Sequence, residues 1–208
     1  MGVGEADQEV MSPSSFLIEK ISDKSCQSAL DWLDASTEPD RTLLIDSFGG
    51  TSTPLFYQLV EKAELSVSVT AIAKRAHSCA AILFLAFSKR QIYSTGEILF
   101  KPQNIEMTLK RASLLASGDL ARYAAEYERY SLLLERLLKT RSIVRSEEIA
   151  LILEEEAMLL FDAGNALKAG LAQSVLYTTL ASGNSSDAAS PLVVHQEAIY
   201  SDIERITV

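Results

Sequence analysis

Cysteine and histidine are scarce in this 208-residue chain, with two of each: Cys26, Cys79, His77 and His195. Two cysteines build neither a disulfide framework nor a zinc quartet, and two histidines exclude a multi-histidine metal site. No metal and no cofactor is therefore expected. Glycine and proline are also few, at 9 and 5, while apolar residues reach 48%. That composition excludes a collagen, a low-complexity linker and a disordered chain. Basic residues are outnumbered 19 to 28, for a net charge of −9, so nothing favours a nucleic acid or an anionic membrane as partner. The most apolar stretch, Cys79 to Phe87, is about half of the roughly 20 residues a membrane helix needs. The first residues, MGVGEADQEV, are acidic and carry no basic-then-apolar leader pattern, and Ala6 stands where a myristoylation signal wants Ser or Thr. The expectation is a cytoplasmic protein with one domain at about 15–180, a loose arm at 1–14 and a tail at 181–208.

Apolar runs and helical periodicities alternate from Phe16 onward. Phe16 to Ile18 is a short apolar run, and Lys24 to Ser36 has helical spacing, with Ala29, Leu30, Trp32 and Leu33 on one face. Thr42 to Ile45 reads as a buried strand ending at Asp46 and the Gly49-Gly50 pair. Leu55 to Ala63 reads as a helix with Pro54 in its first turn. Val67 to Ala73 is the next strand, Cys79 to Phe87 a buried helix, and Gln91 to Tyr93 and Glu97 to Phe100 brief strands. This alternation predicts an α/β domain with a largely parallel sheet. Farther on, Leu120, Tyr123, Ala124, Tyr127, Tyr130, Leu134, Leu137 and Leu138 recur at steps of three and four, which makes a long amphipathic helix of about 118–140. Its apolar face serves either its own domain or another subunit. Ser146 can cap a further helix to about Leu160, and Gln173 to Thr179 reads as a strand.

Two segments carry chemistry. In Asp46-Ser-Phe-Gly-Gly-Thr51, paired glycines between strand and helix let backbone N–H groups approach a ligand oxygen; a plain tight turn explains them equally. In Ala76-His-Ser-Cys-Ala-Ala81, Ser78 lies between a strand and a buried helix. It is either an ordinary N-cap or a hydroxyl held against helix N–H groups that stabilise an oxyanion.

Together these segments resemble the proteolytic subunit of the Clp protease, within the broader Clp/crotonase fold, over Phe16 to about Leu176. Ser47-Phe-Gly-Gly is similar to that family's Ser-Pro-Gly-Gly, and Ala76-His-Ser-Cys-Ala-Ala to its Ala-Ala-Ser-Met-Gly-Ala. The helix from Leu120 matches its handle, and Ala166-Leu-Lys-Ala-Gly-Leu-Ala-Gln-Ser-Val-Leu its closing motif. The resemblance implies repeated strand–helix units with a projecting handle, and a homo-oligomer of rings or stacked rings. It further implies a nucleophile at Ser78, oxyanion donors at Gly50 and Cys79, and a peptide substrate if active, with an active paralogue or an ATP-driven unfoldase as further partner. It also exposes departures. Anchored on Pro102, the family histidine falls on Phe100, which cannot carry a proton. The family aspartate falls on Glu156 or on Met158, depending on the anchor, and Glu154-Glu155-Glu156 also reads as a solvated helix face. The implied protein is a catalytically impaired Clp-like serine peptidase homologue acting as a binding or structural subunit. The alternative is an active hydrolase in which Lys101 serves Ser78 as base, although Lys101 is one residue past the histidine position. A crotonase-type acyl-CoA enzyme is the third option.

Overall fold

The computed structural model describes residues 14–35, 40–101, 117–154, 157–177 and 192–195. The chain is mixed α/β, with a mostly parallel seven-stranded sheet. It runs β1 (Ser15–Ile18), α1 (Asp23–Ala35), β2 (Arg41–Ser47), α2 (Pro54–Leu65), β3 (Val69–His77), α3 (Cys79–Ala86) and β4 (Lys89–Phe100). There follow α4 (Ser117–Arg141), α5 (Ser146–Glu154), β5 (Leu159–Asp162), α6 (Ala163–Lys168), β6 (Ser174–Tyr177) and β7 (Leu192–His195). Strands β1 to β4 lie side by side in chain order and parallel.

Three helices start where the sequence supplies a cap. Ser22 and Ser25 exchange backbone-to-hydroxyl bonds of 3.0 and 3.3 Å at the head of α1. Thr53 accepts from the N–H of Phe56, with Pro54 in the first turn of α2, and Asp162 accepts from Asn165 at 2.8 Å to start α6. The far end of α1 is closed from outside. Arg41 on β2 donates to the carbonyls of Trp32 and Leu33, at 2.8 and 3.2 Å, with its guanidinium over the indole of Trp32.

Helix α3 is apolar all round, and every residue in it is buried. It packs on the sheet face carrying Leu43, Ile45, Ala71, Ala73, Ala76, Ile92, Ile98 and Phe100, together with α2 and α4. The alternate residues Leu17, Leu44, Ile72 and Tyr93 lie on the opposite face and stay half-exposed around a cavity of about 360 Å³. Right-handed crossovers between sequentially adjacent strands all fall on one side of a sheet, which is why the helices leave this face bare.

Two irregularities shape the far end of the sheet. The extra residue in β3 is Lys74, between Ala73↔Ile45 and Arg75↔Asp46. In β4 the pairing with β3 breaks between Ile92 and Glu97. Past that break β4 changes partner: its first half pairs in parallel with β6 and its second half antiparallel with β5. Ser94-Thr95-Gly96, read as the gap between two short strands, is this irregular stretch inside one strand.

Three expectations are corrected. The helix from Ser146 ends at Glu154, not near Leu160, and Leu159–Asp162 is a strand on β4. Leu192–His195, inside the expected tail, pairs with β6, His195 opposite Ser174. The long helix is not free along its length, because Tyr130, Leu134, Leu137 and Leu138 are buried in the chain's own core. Ala121, Arg122, Ala124, Ala125, Glu128 and Arg129, nearer its start, are exposed. Among the described residues no helix is long and apolar enough to cross a membrane.

Candidate functional site

A single residue, Ser78, joins β3 to α3, and it sits at φ 54°, ψ −120°. That is a conformation glycine favours; apart from Ser78, only Asp40 among the described non-glycine residues has positive φ. The strain is held from two sides. The N–H of Ser78 donates to Leu99 on β4 at 2.8 Å, and its carbonyl accepts from Ala81 and Ile82. The hydroxyl makes no capping bond to α3, so the ordinary N-cap reading fails. The first N–H groups of a helix have no acceptor within it, and here Cys79 and Ala80 carry them in a buried setting.

The glycine loop closes over this junction. Ser47 sits in a short turn, its Oγ accepting from the N–H of Gly49 at 3.1 Å. Gly49 comes so near that a Cβ on it would lie 2.8 Å from the His77 carbonyl and 3.1 Å from Ser78 Cβ. A Cβ on Gly50 would lie 1.9 Å from the carbonyl of Ile21. The carbonyl of Gly49 accepts from Ile21 at 3.0 Å, on the β1 side. A trans peptide sends its N–H the opposite way, so the N–H of Gly50 points toward the β3 side, where Ser78 lies. Cys79, which follows Ser78, also approaches this loop, its Sγ lying 3.6 Å from the Gly50 carbonyl.

Among the described residues no base is recorded in contact with the Ser78 hydroxyl. The register pairs His77 with Leu99, so Phe100 comes level with Ser78; its ring is buried, edge-on to Phe161 at 6.0 Å. Ser78 Oγ instead lies 3.5 Å from the hydroxyl of Tyr130 on α4, which donates to the Lys101 carbonyl at 3.3 Å. Burial holds the Tyr130 phenol well above its ordinary pKa, so it is a neutral partner, not a base. Lys101 is half-buried, and its charge reaches the site only as a small lowering influence on Cys79. Burial dominates that thiol, pushing it up to about 12. Met158 is 67% exposed, with no carboxylate to offer, and Glu156 lies outside the described residues.

His77 is turned away. Its Nε2 meets Glu97 at 2.8 Å, and its ring lies edge-on to Phe48 on the bare side of the sheet. Phe48 is also covered by Arg75, which pairs with Asp46, as does Lys74 at 3.1 Å. Two site residues escaped the sequence reading. Tyr130 was counted in the apolar stripe of the long helix, and Tyr57 lay inside an apolar helix. Tyr57 is 3% exposed, with Arg129 stacked 3.9 Å above its ring. Burial raises its pKa, against a side-chain hydrogen bond with Ser52 and the charge of Arg129.

The chain matches no protein-family model, and none of the curated proteins compared with it is significantly similar.

Proposed function

We propose that this chain is a Clp-protease-like subunit whose serine-hydrolase site has lost its base, and that it acts as a binding or structural member of a homo-oligomer. The observation that carries this reading is the strained Ser78, held between a glycine loop and a buried helix start, yet facing a neutral tyrosine where a base belongs. Strain of that kind, about 1–3 kcal/mol, persists where surrounding structure enforces it, and it clusters at functional sites. Removing the base of a serine triad leaves only about 10³–10⁴-fold catalysis over water, from the oxyanion hole and binding. Sequential βαβ units and the Ser47-Phe-Gly-Gly loop support the kinship, and the burial of the C-terminal half of α4 in its own core counts against a projecting handle. The exposed start of α4 and the bare sheet face support assembly with other copies. Sedimentation equilibrium showing only monomer at micromolar concentration would remove the assembly.

The competing reading, a hydrolase with Lys101 as base, draws on the influence of that lysine at Cys79. One experiment separates the two. A fluorophosphonate probe should leave the native protein unlabelled. Stoichiometric labelling abolished by Ser78→Ala would establish an activated serine and sink the impaired reading.

A further inference from the structure

Parallel sheets are as a rule covered on both faces, because their strands are apolar on both. The face of this sheet opposite the helices is apolar but, among the described residues, bare. One register row carries Leu17, Leu44 and Ile72 from β1 to β3, continues through Gln91 and Ser174, and ends at His195 on β7. Leu17, Leu44, Ile72 and Tyr93 stay half-exposed around the cavity of about 360 Å³. Leu176 behaves differently. It pairs with Tyr93 and so shares its face, yet it is only 4% exposed. It also stands outside the core cluster on the helix side, to which its neighbour Val175 belongs. The described helices pack on the other face, so the cover over Leu176 comes from another part of the chain.

Residues 196–208 begin where such a cover must begin. The chain leaves β7 at His195, at the end of the row that carries Ile72 and Leu44. Three strand spacings of ~4.8 Å, about 14 Å in all, separate β7 from β3. As a helix, residues 196–208 would extend about 20 Å, enough to cross β6 and β4 and reach Ile72. Their sequence suits that task. Ile199, Ile203 and Ile206 recur at steps of four and three on one helical stripe, with Glu197, Ser201 and Glu204 opposite. Charge agrees: Glu197, Asp202 and Glu204 outnumber Arg205, while the face presents Lys74 at the cavity wall and Lys89 at the start of β4, both more than half exposed. Other segments fit less well. Residues 102–116 leave β4 at its opposite end, and 178–191 carry Leu180 as their one large apolar residue.

We propose that residues 196–208 dock as an amphipathic helix on the bare sheet face of their own chain, with Ile199, Ile203 and Ile206 against Leu176, Tyr93 and Ile72. The far end of that face, where Phe48, Met158 and Leu160 are exposed, stays open to other copies. This interaction goes beyond the function proposed above and does not depend on the state of Ser78.

The test is a photo-cross-link in the full chain. Tyr93→p-benzoylphenylalanine is the probe, and Leu132→p-benzoylphenylalanine, exposed on α4, is the control. Digestion after glutamate separates residues 198–208 from β6 and β7, and mass spectrometry maps the adduct. The expected result is an adduct within 198–208 at monomer mass from position 93, and none from position 132. Combining Ile199→Asp with Ile203→Asp should cut that yield at least fivefold, with circular dichroism certifying the fold. The first mapping is made with residues 196–208 native, so it decides even where the double variant misfolds. An adduct at dimer mass would assign the face to a second copy, and one within 102–116 or 178–191 to another segment. Either of these, no adduct at all, or an undiminished yield in the folded double variant overturns the proposal.

Discussion

Replacing Ser78 by glycine should make the protein more stable, although it deletes the residue at the centre of the site. Ser78 is held at φ 54°, ψ −120°, where a Cβ is penalised and glycine is not. Relief of such a conformation is worth about 1–3 kcal/mol. Against it stands the greater backbone freedom of glycine in the unfolded chain, roughly 0.5–1 kcal/mol. The hydroxyl itself contributes little. Its contact with Tyr130 is 3.5 Å, at the outer limit of a hydrogen bond, and Tyr130 keeps its bond to the Lys101 carbonyl without it. The net gain should be about 1 kcal/mol, or a rise of roughly 2–4 °C in melting temperature for a domain of this size. Ser78→Ala keeps the strain and should stay within about 0.5 kcal/mol of the native protein. The assay is the urea midpoint at one fixed protomer concentration, since subunit association also raises apparent stability. If Ser78→Gly proves less stable than Ser78→Ala, the junction is not strained, and the structural sign of a former nucleophile disappears.

Other outcomes follow from the packing. Burial holds the Cys79 thiol up at about 12 and Cys26 at about 11, so neither should react with Ellman's reagent at pH 8 until denaturant is added; fast native reaction would contradict their burial. Asp46 has its carboxyl held below its ordinary 3.8, chiefly by the hydrogen bond from Arg75. Its folded pKa is depressed, so its stabilisation is complete above 3.8 and is lost as pH falls through the lower folded value. Asp46→Asn should therefore flatten the acid limb of the urea-midpoint profile below about pH 4, and an unchanged limb would refute the pairing. Arg90, buried at 4% exposure and pushed down to about 10 by burial, remains charged at neutral pH. Its guanidinium donates to the carbonyls of Phe87, Gly170, Leu171 and Arg141. Arg90→Met should cost about 3–5 kcal/mol, and Arg90→Lys nearly as much because an ammonium cannot span that fork, both read from chemical denaturation.

The sequence made the first hundred residues readable because each strand–helix unit there is local. Caps, glycines and apolar runs specify it without help from afar, and the sheet then assembles neighbour to neighbour. Later elements depended on remote partners. Leu159–Asp162 followed three glutamates after an apolar helix and read as its continuation; only the edge of β4 makes it a strand. Leu192–His195 follows the Ser- and Ala-rich stretch from Ala181 to Pro191, and its partner is β6. Periodicity revealed the stripe from Leu120 to Leu138, but periodicity cannot say whose core a stripe faces, and its C-terminal half turned inward. The same blindness hid Tyr130 and Tyr57, because a phenol in an apolar stripe looks like filler until its hydroxyl has neighbours. Ser78 and Gly50 were visible because a serine and a glycine pair at strand ends are local signals. Phe100 was legible only as a departure from the family pattern that the flanking segments resemble, and it is buried level with Ser78.

The arrangement around Arg90 also sets an order on biosynthesis. The side chain emerges with β4, but its acceptors at residues 141, 170 and 171 leave the ribosome much later. Until then, a nascent chain ending near Phe100 holds four strands and three helices around a guanidinium that still lacks most of its carbonyls. It also has β4 as an open edge, since its partners β5 and β6 come later in the chain. Unpaired edges of this kind recruit other chains. A fragment cut after β4 should be far more prone to aggregate than the sequence of its own strands and helices suggests.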